Sequence, residues 1–425
     1  MNKLFKFSLF LFIVNFIFTF SLNIYAITNQ SLDNKLSHEI ELTQSVPEKT
    51  IFSQSDIRTT QKVWIEMISN AKNSIDLGTF YIDNKKGKAM EPVINAILNA
   101  ANKGVKVRII LDSSFHSLYP HEADDFEGVK NIEVRYLPIN NSLGGIMHAK
   151  YIIVDSENIY VGSANSSWVE LSQIHNIGIR ILNKNIAATI LRVFNLDWQF
   201  CKTGNFLGNR KLLYKIYSKL PVTALQPQTV KIGNDTAIVH PAFSPKQIVP
   251  SGLDIEQEQL IKIFKNAQKE VVMQVMTYTP QKKYGVVGYW AAFDNAIRDT
   301  ASRGVHIKFI VSDWNNIKPN IDYIKSLALT PNVEIKISTI PQLKNKFIPY
   351  SRVEHCKYFV VDNNLSWIGT GNWEWSYFHT TRDITIIINS TKIAKQLKNV
   401  FLKDWNGPYT KSINISKEYK KPKVQ

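Results

Sequence analysis

Cysteine is nearly absent from this chain, with two among 425 residues, Cys201 and Cys356, and that excludes a fold stapled by disulfides. Cys356 lies inside a buried-strand pattern between two chemistry-bearing residues, so two buried free thiols are expected rather than one bridge. Histidine and cysteine occur at no zinc-ligand spacing, there is no evident cysteine nucleophile, and no carboxylate cluster suggests a metal centre, so no cofactor or metal is expected. Long apolar runs are scarce too: after Leu22 none is long enough to cross a bilayer. Acidic residues are outnumbered, 35 against 51 Lys and Arg, which leaves a formal charge of +16. A polyanionic partner suits that surplus, but charge alone does not separate DNA, RNA and acidic lipid. With 44% hydrophobic residues the chain can bury a large core, so global disorder is excluded.

The chain opens with Lys3 and Lys6, an apolar run from Phe7 to Leu22, and Asn23-Ile24-Tyr25-Ala26. That layout predicts a secretory signal or, uncleaved, a membrane anchor over residues 1–26, and in both cases an exported body. A polar segment, 27–49, follows and is expected to be loosely ordered.

The rest of the chain repeats itself. His148-Ala-Lys150-Tyr-Ile-Ile-Val-Asp155 with Tyr160-Val-Gly162-Ser163-Ala-Asn165 matches His355-Cys-Lys357-Tyr-Phe-Val-Val-Asp362 with Trp367-Ile-Gly369-Thr370-Gly-Asn372. In both copies the histidine precedes the lysine by two residues, the aspartate by seven and the asparagine by seventeen. Upstream, Gly104–Asp112 corresponds to Gly304–Asp313, and Ala71–Tyr81 to Ala267–Tyr278, each an amphipathic helix end running into a strand. The expected organisation is an α/β fold of two similar lobes about a pseudo-twofold axis, 50–203 and 251–408, each a mixed sheet flanked by helices. A proline-bearing linker, 204–250, and a basic tail, 409–425, complete it.

Residues two apart on a strand share a face, so His148 points with Lys150 and His355 with Lys357. A lone His-x-Lys is a frequent accident; two copies at identical spacing, each followed by Gly-[Ser/Thr]-x-Asn, are not. Two histidines, two lysines and two asparagines suit phosphoryl transfer at a diester. One neutral imidazole attacks phosphorus and the opposite imidazolium protonates the departing oxygen. Lys150, Lys357, Asn165 and Asn372 surround the non-bridging oxygens, the task a divalent cation performs elsewhere. Asp155 and Asp362 are expected to fix the histidine tautomers, with Ser163 and Thr370 hydrogen-bonding nearby. His116, His121, His175, His240, His306 and His379 share no repeated spacing and read as structural or surface residues.

The two motifs resemble the signature of the phospholipase D superfamily, and the resemblance spans residues 50–408. Gly162–Trp168, Phe243–Lys246, Tyr278–Pro280, Tyr289-Trp290 and Gly371–Phe378 are most similar to the branch of animal lysosomal 5′ exonucleases and related poxvirus proteins. The resemblance implies a phosphohistidine intermediate, with His148 as nucleophile, His355 as general acid, and Lys150, Lys357, Asn165 and Asn372 on the phosphate. One departure stands out. Twenty-eight residues after the histidine, where many relatives carry an acid, the second copy has Asp383 and the first has Asn176. The aromatic residues Tyr81, Phe115, Trp314, Trp373, Trp375 and Tyr377 would suit base stacking. The reading favours single-stranded nucleic acid as substrate. Phospholipid headgroup hydrolysis or exchange, with membrane-surface contact, stands second, and a non-catalytic polyanion-binding protein third.

Overall fold

A computed structural model describes residues 38–121, 123–204, 227–282 and 287–425. The leader, the first part of the polar segment and residues 205–226 of the proline-bearing stretch lie outside these residues. Among the described residues no helix is long and apolar enough to cross a membrane.

Each repeat builds a mixed sheet, and the two sheets share one strand order. In the first lobe it runs Ile40–Ser45, Asn176–Leu182, Asn158–Gly162, Tyr151–Val154, Ser74–Gly78, Lys106–Asp112, Ile132–Leu137. In the second it runs Asp235–Ser244, Asp383–Asn389, Leu365–Gly369, Lys357–Val361, Glu270–Val275, His306–Ser312, Val333–Ser338. The last three strands of each series are parallel and the others antiparallel. Central strands such as Tyr151–Val154 and Lys357–Val361 are buried along their whole length, because helices cover one side and the other lobe the other.

The polar segment, the linker and the basic tail each contribute a strand. Residues 40–45 pair with Asn176–Leu182 as a sheet strand, and 235–244 pair with Asp383–Asn389 at the corresponding place in the second lobe. The tail begins with Thr410–Ser412 on the sheet edge, and the Tyr350 N–H then donates to the Val424 carbonyl at 2.8 Å.

Helices Lys184–Thr203 and Thr391–Trp405 lie between the lobes. Asn183 and Ser390 cap them by accepting backbone N–H groups of the first turn, and Gly204 ends the former in the left-handed region at φ 69°. Ile190, Phe194, Leu397 and Phe401 join strands of both sheets in one core at the seam, while each lobe keeps a second core of its own on the outer side of its sheet. The lobes approach so closely that a Cβ on Gly145 would meet the Thr380 carbonyl oxygen at 2.0 Å.

Asp155 and Asp362 correct the expectation made for them. Seven residues of extended chain put each roughly 20 Å from its histidine. There each has a positive φ of 51° and accepts backbone N–H groups at a helix-to-strand turn. Asp155 accepts from Lys72, Asn73 and Ser74 at 2.8, 2.6 and 3.0 Å; Asp362 accepts from Gln268, Lys269 and Glu270 at 2.9, 2.7 and 3.0 Å. They brace the fold. Asp155→Ala should therefore lower unfolding stability by about 2 kcal/mol in a urea titration. Turnover per folded molecule should stay within about twofold, since the roughly 20 Å separation leaves the histidines untouched.

Candidate active site

The His-x-Lys segments enter their strands where the lobes meet. Met147 pairs with Arg382 and His175 with Glu354 as parallel bridges across the interface. The His148 N–H donates to the Arg382 carbonyl at 3.0 Å and the His355 N–H to the His175 carbonyl at 3.0 Å. Between each histidine and lysine a small side chain, Ala149 or Cys356, turns into the core, as strand alternation requires. Cys356 is a buried free thiol, and Cys201 is free and partly buried.

That docking crosses the partnerships. His148 Nδ1 lies 3.0 Å from Asp383 Oδ1 of the second lobe, and His355 Nδ1 lies 2.8 Å from Asn176 Oδ1 of the first. Thr370 donates to Asp383 at 2.6 Å and Ser163 to Asn176 at 2.8 Å, so both hydroxyls brace the partner of a histidine in the other lobe. The Asn176 amide N–H donates to Glu170 Oε2 at 2.8 Å, which leaves its oxygen facing His355 and makes His355 Nδ1 the donor. Glu170 Oε1 also accepts from Asn165 at 2.5 Å, and Oε2 stands 3.4 Å from His355 Nδ1. Sequence reasoning missed Glu170. The one available signal was the missing acid at Asn176, which called for a carboxylate from elsewhere.

His148, His355, Asn165 and Asn372 keep only 5–6% of their surface exposed, so the site is largely enclosed. Lys150 and Lys357 are fully buried beneath it, with each ammonium donating to the carbonyl of its own histidine, at 2.5 and 2.7 Å. Burial holds Lys150 well below the usual lysine range and Lys357 at about 8. An incoming phosphate anion favours the charged form of both. Burial, then Lys150, Lys357 and His355, keeps His148 well below the usual histidine range. His355 is also lowered by burial, but Glu170 opposes the shift. Burial raises Asp383 to about 7 against the pull of Lys150, Thr370 and Lys357. The two imidazoles therefore sit in unequal fields, and a neutral form is favoured most at His148.

Aromatic side chains line one approach. The Phe80 ring centroid is 5.4 Å from His148 and 4.2 Å from Phe115; Tyr119 stacks 5.0 Å from Phe115 and 5.3 Å from Tyr81. Tyr377 meets His148 edge-on at 4.9 Å from the second lobe. Trp375 stacks on His379 at 4.9 Å beneath Lys282, and Trp314 reaches Tyr350 at 6.4 Å. Trp373 corrects its expectation: it is 1% exposed, stacked 4.5 Å from Phe293 in the second-lobe core, where no base can reach it.

Among the described residues, His175, Glu354 and Cys356 bring one possible metal-ligand atom each within 4.8 Å of one another. The Glu354 oxygens are already engaged, by His175 at 2.7 Å and the Cys356 N–H at 3.0 Å, and Asp404 stands 3.6 Å from His175. Those carboxylates raise His175 to about 9 in spite of burial. The cluster is an interlobe ion pair. On the other side of the pseudo-twofold axis its place is taken by Arg382 with Asp197, at 2.8 Å.

Comparison with known proteins places this architecture. A family model described as "PLD3/4, PLD-like domain" matches residues 52–341. The virion nicking-joining enzyme of Vaccinia virus (strain Western Reserve) is 30% identical over 384 residues, 87% of this chain and 88% of that protein. The 5′-3′ exonuclease PLD3 of Xenopus tropicalis is 28% identical over 410 residues, 89% and 82% of the two chains. The crystal structure of phosphatidylserine synthase from Haemophilus influenzae Rd KW20 shares the fold, with a TM-score of 0.59 at 16% identity over 88% of this chain and 87% of that one. A twice-repeated lobe, two His-x-Lys strands meeting at the interlobe seam and a family match over more than half of the chain lead to one conclusion: the chain belongs to the phospholipase D superfamily and is one of its phosphodiesterases.

Proposed function

We propose that the protein hydrolyses phosphodiesters through a phosphohistidine on His148, and that its substrate is single-stranded nucleic acid, degraded from the 5′ end. The observation that carries the reading is the crossed and unequal bracing of the two histidines, His148 by Asp383 and His355 by Asn176. His148 Nε2 attacks phosphorus while the bond to the leaving oxygen breaks, and that oxygen takes the proton of His355 Nε2. Water then attacks phosphorus, His355 accepts its proton, and the phosphorus–nitrogen bond breaks to release the phosphomonoester and neutral His148. Lys150, Lys357, Asn165 and Asn372 hold the non-bridging oxygens in both steps.

The substrate class rests on three supports. The chain carries an excess of basic residues, aromatic rings stand beside His148, and two relatives are named for exonuclease and nicking-joining activity. Export, by a cleaved leader or with the leader as anchor, belongs to the same reading.

The test presents the purified protein, in EDTA, with a 5′-hydroxyl single-stranded oligonucleotide and with phosphatidylcholine vesicles in parallel. Shortening of the oligonucleotide is the expected result. Choline release without shortening would replace the nucleic-acid reading with a lipid one, and binding without cleavage would leave a polyanion-binding protein.

A further inference from the structure

The pseudo-twofold axis makes the site its own control. Asn176 and Asp383 stand twenty-eight residues after their motif histidines, each opens the strand next to the one that ends in Gly-[Ser/Thr], each accepts a hydroxyl hydrogen bond, and each faces the Nδ1 of the histidine from the other lobe. Only one of them is an acid. The position twenty-two residues after the histidine is Glu170 in the first copy and Tyr377 in the second. The carboxylate has thus moved by six positions along the chain, yet in space it stands directly behind the amide that replaced it.

We propose that Glu170 is the positioning residue for His355, supplying through and beside the Asn176 amide a carboxylate counterpart to the one that Asp383 places directly against His148. Each link is on hydrogen-bond or ion-pair terms. Glu170 Oε2 accepts from Asn176 at 2.8 Å and lies 3.4 Å from His355 Nδ1, and Oε1 holds Asn165 at 2.5 Å. Glu170 is 2% exposed, so a charge there acts at short range with little screening by water.

The arrangement suits a general acid. The Asn176 oxygen fixes the tautomer, with Nδ1–H toward the amide, while the carboxylate just beyond favours the imidazolium that must hand its Nε2 proton to the leaving oxygen. A carboxylate in direct contact would hold that proton more tightly and make His355 a poorer donor. Other charged groups face the pair as well. Lys357 and Lys150 act against the imidazolium, and His148 lies across the pocket, so Glu170 is the group that offsets the lysines. Burial works against its own charge, but His355, Asn176 and Asn165 keep it ionised.

This inference rests on the phosphohistidine reading, and one experiment separates them. Glu170→Gln, the double variant Glu170→Gln/Asn176→Asp, His148→Asn and His355→Asn are assayed across pH on an alkyl phosphodiester and on a p-nitrophenyl phosphodiester, whose leaving group needs no proton. Glu170→Gln should lower kcat on the alkyl ester by about 100-fold with KM within about threefold, and leave p-nitrophenolate release far less affected. The alkaline limb of its profile should move to lower pH, because losing the carboxylate lowers the His355 pKa. The double variant, which places the acid where the second lobe has it, should recover part of the loss and not all of it, because a carboxylate in direct contact makes His355 a poorer donor. Equal losses on both esters without recovery would make Glu170 a packing residue, and an unchanged profile would remove it from the mechanism. Sustained turnover by His148→Asn would instead overturn the phosphohistidine reading itself.

Discussion

His148→Asn should abolish turnover on every diester, by about 10⁴-fold or more, because the proposed mechanism makes the bond to phosphorus from His148. Asparagine keeps a polar atom toward Asp383, and the backbone N–H of residue 148 still reaches the Arg382 carbonyl, so the variant should fold and bind substrate as the parent does. His355→Asn should differ in kind. Its loss on an alkyl ester should be comparable, since an alkoxide leaves poorly without a proton, but on a p-nitrophenyl ester it should still release one equivalent of p-nitrophenolate and then stall. Stopped-flow absorbance distinguishes a burst from no burst. Bursts in both variants would contradict the division of labour, and bursts in neither would show that His355 is needed before bond breaking.

Arg382→Met should be the most destabilising single change outside the catalytic groups. The guanidinium is fully buried, binds Asp197 through two hydrogen bonds of 2.8 Å and donates to the Ser244 and Ile248 carbonyls at 3.1 Å. Removing it leaves a buried, unpaired carboxylate and two unmatched carbonyls at the seam, a loss of about 3–5 kcal/mol. Arg382→Met/Asp197→Leu should be milder than the single variant, because the second change removes the stranded charge. Since the seam core draws on both halves, urea unfolding should move as a single transition, and a second transition would show that the lobes, each with a core of its own, unfold separately. Activity should fall as well, because residue 382 receives the His148 N–H and precedes Asp383.

The repeat was legible because His-x-Lys and Gly-[Ser/Thr]-x-Asn sit on strands whose spacing fixes which side chains share a face. The same spacing misled for Asp155 and Asp362. Their periodicity is that of the motif, but seven residues of extended chain carry them out of the site, to a turn that needs a carboxylate for three N–H groups. Which acid serves which histidine lay beyond local pattern, since the partners of His148 and His355 come from the opposite lobe and depend on how the halves dock. Residues 40–45 and 235–244 read locally as a polar segment and a linker because each is a sheet element only in the presence of its long-range partner. Aromatic composition likewise did not separate Trp373, buried in the core, from Phe80 and Tyr119, which stand along the approach to His148.

The most direct test of the account is to trap the covalent enzyme. His355→Asn, mixed with the p-nitrophenyl ester in EDTA and quenched at alkaline pH to preserve a phosphoramidate, should yield a phosphorylated peptide whose modified residue is His148 by mass spectrometry. Stoichiometric label on His148 is the predicted result; p-nitrophenolate release with no labelled histidine would mean direct attack by water and would contradict it.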